Sequence, residues 1–91
     1  MPTISQFYGI DIRMFTNDHS PPHIHARYGE FEACFGIADG EMIEGKFPPR
    51  ARRLVREWIG LHIAELAANW ERTRKLELPK EIGGLDADES N

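Results

Sequence analysis

The chain has one cysteine, Cys34, so an internal disulfide is excluded, and no Cys-x-x-Cys pair exists to hold zinc through thiolates. Long apolar runs are missing as well. Nothing approaches the ~20 residues that a bilayer-spanning helix needs, and Met1-Pro2-Thr3-Ile4-Ser5 lacks a charged segment leading into an apolar one. The expectation is a cytoplasmic protein that does not enter a membrane. There is no internal repeat and no low-complexity block. With 91 residues, 41% of them hydrophobic, the chain is too short for a second catalytic domain and builds only a thin core. A partner chain or self-association into a homo-oligomer is therefore expected.

A net charge of −4 argues against nucleic-acid binding by the whole surface, but the charge is unevenly spread. Residues 1–47 hold three basic and seven acidic side chains, residues 48–75 hold seven and three, and residues 76–91 hold one and five. The middle segment carries Arg52, Arg53 and Arg56, which could meet RNA phosphates locally or form a solvated helix face.

The first half reads as strands. Thr3 to Phe7 leads into Tyr8-Gly9, and Ile10, Ile12 and Met14 then alternate with Asp11, Arg13 and Phe15, the period of a half-buried strand. Asn17-Asp18-His19-Ser20-Pro21-Pro22 is a run of turn and breaker residues, followed by a short strand from His23 to Tyr28. Phe31, Ala33, Phe35 and Ile37 alternate again, Asp39-Gly40 suits a tight two-residue hairpin, and Glu41 to Lys46 returns. From Pro48-Pro49 the period changes to that of one long helix, about 49 to 75, whose apolar arc includes Leu54, Val55, Trp58, Ile59, Leu61, Ile63, Leu66 and Trp70. The fold class expected is α+β: an antiparallel sheet of about four or five strands with one long C-terminal helix packed on it. Residues 1–78 form this single domain, and residues 79–91 read as a flexible acidic tail with little to bury.

Three of the four histidines, His19, His23 and His25, fall within seven positions beside Asp18. On a strand that begins near Pro22, His23, His25 and Arg27 point to one face. Two imidazoles can serve as base and acid toward the 2′-hydroxyl and the leaving 5′-oxygen of RNA, while the guanidinium steadies the phosphorane charge; no metal or other cofactor is needed. Asp18 would orient an imidazole, with His19 and His62 as supporting groups. The same residues also permit a divalent transition metal, held by His23 and His25 with His19 or Glu30 completing the set. A hydrogen-bonded polar strand edge is the plainest reading. On the helix, His62, Glu65 and Asn69 interrupt the apolar arc at spacings of three and four, a polar ladder expected to face the histidine strand. Trp58 and Trp70 read as core, and Cys34, on the polar-patterned face of its strand, reads as inert.

Several blocks resemble one family. Phe7-Tyr8-Gly9-Ile10, Asp18-His19-Ser20-Pro21-Pro22-His23-Ile24-His25, Gly29-Glu30, Ile43-Glu44-Gly45-Lys46-Phe47-Pro48, Leu61-His62, Glu65-Leu66 and Asn69-Trp70 are similar to the bacterial domain-of-unknown-function family 4160. The resemblance covers about residues 1–75, and its Asp-His-x-Pro-Pro-His-x-His core is specific. Ser20 stands where asparagine is frequent in the family. The family has no settled activity; what the resemblance implies is a toxin-like component of a type II toxin–antitoxin pair, encoded beside a small antitoxin-like partner. The histidine cluster would let it act on RNA as a metal-independent ribonuclease, inhibition by simple binding remaining open. The alternative is a non-enzymatic binding or adaptor module whose histidines are structural or hold a metal.

Overall fold

The computed structural model describes residues 3–16 and 18–89, without the side chains of Asp88 and Glu89. Met1 and Pro2, Asn17 of the breaker-rich turn, and Ser90 and Asn91 of the expected tail lie outside the described residues. Five strands, β1 (Thr3–Phe7), β2 (Ile10–Arg13), β3 (His23–Tyr28), β4 (Phe31–Gly36) and β5 (Met42–Gly45), form an antiparallel meander in sequence order. Two of the connections are two-residue turns. Tyr8 and Gly9, both at positive φ, join Phe7 to Ile10, and Gly29, at φ 60°, opens the turn from Tyr28 to Phe31.

Alternation along the strands sends Ile10, Ile12, Ile24, Ala26, Ala33 and Phe35 to one face, where they are buried beneath the helices. The opposite face is left uncovered, with Asp11, Arg27 and Glu32 aligned across β2, β3 and β4, and Arg13, His25, Cys34 and Glu44 aligned across β2 to β5. The Asp39-Gly40 hairpin differs from expectation. A four-residue loop runs from Gly36 to Glu41, closed by Gly36 N–H donating to Glu41 O (2.9 Å), because Ile37 leaves the strand to enter the core.

The long helix is also two helices, α1 (Pro49–Leu61) and α2 (Ile63–Arg74), parted at His62. His62 has φ −128°, outside the helical region, and its N–H reaches back to Ile59 O rather than to Trp58 O. Gly60, weak in helices by about 1 kcal/mol, precedes the break. The bend leaves Leu61 and Ile63 exposed, against the continuous arc read from the sequence, while Val55, Trp58, Ile59, Leu66 and Trp70 are buried as expected. Among the described residues no helix is long and apolar enough to cross a membrane.

Residues 79–87 do not behave as a tail with little to bury. Ile82 and Leu85 are in the core, Ile82 N–H donates to Ile4 O (2.7 Å), and Trp58 Nε1–H donates to Gly83 O (2.8 Å). Asn69 clamps the segment: its amide donates to Lys80 O and its Oδ1 accepts from Lys80 N–H, both at 2.8 Å, while Arg72 donates to the same Oδ1. The chain then forms a short helix, α3 (Leu85–Glu89). The acidic composition suggested disorder, whereas two apolar residues and unpaired backbone groups at the sheet edge decided the outcome.

Deleting residues 79–91 should therefore cost roughly 3–6 kcal/mol, from the lost burial of two large aliphatic side chains. A mobile tail would leave the denaturant midpoint unchanged. Asn69→Ala, which leaves the backbone of Lys80 without its partners, should cost about 1–3 kcal/mol in the same measurement.

Candidate functional site

The segment between β2 and β3 sets the site. It carries Asp18 and His19, passes through a cis Ser20–Pro21 peptide, and enters β3 at His23. Asp18 is the hub. Its Oδ2 accepts from His25 Nε2–H at 2.8 Å and lies 3.1 Å from His23 Nε2; its Oδ1 accepts the backbone N–H of His19 at 2.9 Å and lies 3.1 Å from His19 Nδ1. Burial raises the Asp18 carboxyl, but the bond from His25, the N–H of His19 and the proximity of the His23 and His25 rings outweigh it, so its pKa is held below the ordinary value.

The three rings differ in access. His19 is exposed and His25 is 30% exposed, but His23 is sealed at 3%, packed against Trp70 of α2 at 5.3 Å between centroids and against His25 at 5.0 Å. His23 Nδ1–H donates to Pro21 O at 2.7 Å, which leaves Nε2 as the lone-pair nitrogen of the neutral ring. That atom is buried and makes no aligned hydrogen bond, despite the nearby carboxylate.

His25 faces the open side of the sheet. Phe15 packs on its ring at 4.3 Å, and Cys34, its register partner on β4, sits with Sγ 3.4 Å from Nδ1. Since Nε2 donates to Asp18, Nδ1 accepts from the thiol, giving a line from Cys34 through His25 to Asp18. Burial, together with the Glu44 and Asp18 carboxylates, pushes the Cys34 thiol pKa up, so the thiol holds its proton at neutral pH. His25 and Cys34 lie in a cleft of about 340 Å³ whose walls include Arg13, Arg27, Glu32 and Glu44. The guanidinium groups are loosely paired with carboxylates, Arg13 with Asp11 at 4.0 Å and Arg27 with Glu32 at 3.9 Å, and Arg27 Nε–H donates to Gly29 O at 3.3 Å. Two groups of donors stand close enough to share an ion: His23, His25 and Cys34, and Asp18, His19 and His23, each with its ligand atoms within 4.8 Å of one another.

The remaining predicted residues fall elsewhere. Glu30 is in the turn beyond Tyr28, the end of β3, which is roughly 10 Å along the strand from His25, so it cannot complete a ligand set there. The polar ladder does not act as one unit facing the histidine strand. His62 pairs with Glu65 and packs on Trp58, Asn69 holds the C-terminal segment, and the α2 residue against His23 is Trp70, about 12 Å along the helix from His62. Arg52, Arg53 and Arg56 line a groove beside the β4–β5 loop, where Arg56 pairs with Glu41 at 3.0 Å, apart from the open face. Sequence reasoning missed Cys34, Arg13 and Phe15 as members of the site. Alternation put Cys34 on the polar face, but only strand pairing names the residue opposite it.

Asp18→Asn should cost about 1–3 kcal/mol at pH 7, measured by denaturant unfolding with a chelator present, because the carboxylate accepts charge-assisted bonds. A depressed folded-state pKa stabilises above the unfolded value and ceases to do so as pH falls through the folded one. Wild type and variant should therefore converge in acid; a constant difference down to acid pH would assign the effect to packing instead.

Comparison with family models matches residues 9–71 to a domain of unknown function (DUF4160). Neither the curated proteins nor the solved structures gave a match. The matched span runs from the turn before β2 through most of α2 and holds Asp18, His19, His23, His25 and Cys34. On that span, more than half of its length, the chain belongs to the DUF4160 family.

Proposed function

We propose that this protein is a binding module that works through the open face of its sheet, at the cleft over His25, and not a two-histidine ribonuclease. The observation that carries this reading is the burial of His23. A base and an acid must each reach the reacting oxygens, and His23 Nε2 is buried while its Nδ1 is committed to Pro21 O. The exposed His19 does not line this cleft, so His25, with a carboxylate behind it, is the one imidazole presented there: it can fix and polarise a ligand, but no second imidazole stands beside it in the cleft. Arg13 and Arg27 flank that imidazole, and their loose pairing suits a ligand or partner that presents anionic groups. The growth-inhibiting role and the small antitoxin-like partner, implied by the family resemblance, are exerted in this reading by occupancy of the face. RNA is then a bound ligand at most.

Purified protein incubated with total RNA between pH 5 and 8 should leave it uncut, and His25→Gln should make no difference. Expression of the chain alone in bacteria should slow growth with RNA intact, and Arg13→Ala/Arg27→Ala should relieve the effect. RNA breakdown that disappears in a folded His25→Gln variant would return the reading to acid–base cleavage.

A further inference from the structure

The buried nitrogen of His23 has a second consequence. In the neutral ring its lone pair sits 3.1 Å from an acceptor-only carboxylate oxygen, with no donor in line, inside a cluster where Cys34 Sγ and a His25 ring nitrogen lie within 4.8 Å. A buried acceptor facing further acceptors is costly unless something positive comes between them. Each ring is also held as a ligand histidine is held: His23 donates its other N–H to a backbone carbonyl, and His25 donates its other N–H to a carboxylate, the two outer partners that fix tautomer and direction in metal sites. Nitrogen at about 2.0–2.1 Å and sulfur at about 2.3 Å from a tetrahedral ion place ligand atoms roughly 3.3–3.6 Å apart. The separation of Cys34 Sγ from His25 Nδ1, 3.4 Å, is already that spacing.

We infer that His23 Nε2, His25 Nδ1 and Cys34 Sγ bind a divalent transition metal of the zinc class, with Asp18 as the positioning residue behind His25. The inference rests on reading the cluster as a binding site, and it names that site's inorganic ligand. Softness and geometry favour zinc or cobalt over magnesium or calcium, which take oxygen ligands. On binding, the Cys34 S–H bond breaks, the sulfur keeps the electron pair and donates it to the ion, and the proton passes to solvent. Three protein ligands leave a fourth position for water or for an atom of a bound ligand. A donor set of two histidines and one cysteine replaces the set of His23 and His25 with His19 or Glu30 that sequence spacing suggested.

The test uses the full chain, stripped with a chelator, freed of it, and titrated with cobalt(II) chloride. Expected are saturation at one equivalent, the visible bands of tetrahedral cobalt, a near-ultraviolet thiolate-to-cobalt band, and loss of all three on adding zinc. About one proton per ion should be released near neutral pH. Cys34→Ser, checked for fold by circular dichroism, should lose the thiolate band, Asp18→Asn should bind about 10–100-fold more weakly, and His62→Ala should titrate as wild type. Saturable binding without the thiolate band would overturn this donor set and move the ion to Asp18, His19 and His23. No saturable binding by a chain that also leaves RNA intact overturns the metal site and leaves the binding module standing. RNA cleavage that requires the added metal does the reverse.

Discussion

The alternation of β3 between two antiparallel neighbours is the constraint on which both the core and the site depend. Because Ile24 and Ala26 must lie under the helices, His25 and Arg27 are forced onto the uncovered face, and the pairing with β2 and β4 then sets Arg13 and Cys34 beside His25. A shift of one residue in that register would expose Ile24 and bury Arg27. The hydrophobic effect thus fixes the polar site indirectly, by leaving the alternate positions of each strand one place to go.

The end of β3 departs from that rule in one residue, and the departure gives the cluster its character. His23 should share the open face with His25, yet the segment bearing Asp18 folds over it from one side and Trp70 closes it from the other. Burial removes His23 from solvent and from any proton relay with a substrate. It also makes the unpaired nitrogen expensive, since water cannot satisfy it. Asp18 does not relieve this, because a carboxylate oxygen has no proton to offer a lone pair; its own carboxyl stays ionised despite partial burial because His25 Nε2–H and the His19 N–H donate to it.

On the other face, the helices are held by contacts between residues distant in the chain. Trp58 is fully buried, packs on Phe7 of β1 at 5.3 Å and donates to Gly83 O, so one indole ties α1 to the first strand and to the C-terminal segment. Asn69 does the same from α2, using one amide to imitate a backbone partner for Lys80. The break at His62 lets α1 and α2 each bury its own short face, at the cost of exposing Leu61 and Ile63.

Periodicity in the sequence was enough to determine the α+β class, an antiparallel sheet of about four or five strands, the burial of Trp58 and Trp70, and the grouping of Asp18 with three histidines, because each follows from local spacing along the chain, whereas the order of the strands does not. The helix break, the docking of residues 79–87, the sealing of His23 and the meeting of His25 with Cys34 were decided by tertiary structure alone. Each of these depends on what packs across from a residue. A polar residue on an apolar helix arc, such as Asn69, reads the same whether it faces a strand of histidines or a returning backbone; only the fold supplies the partner that satisfies it.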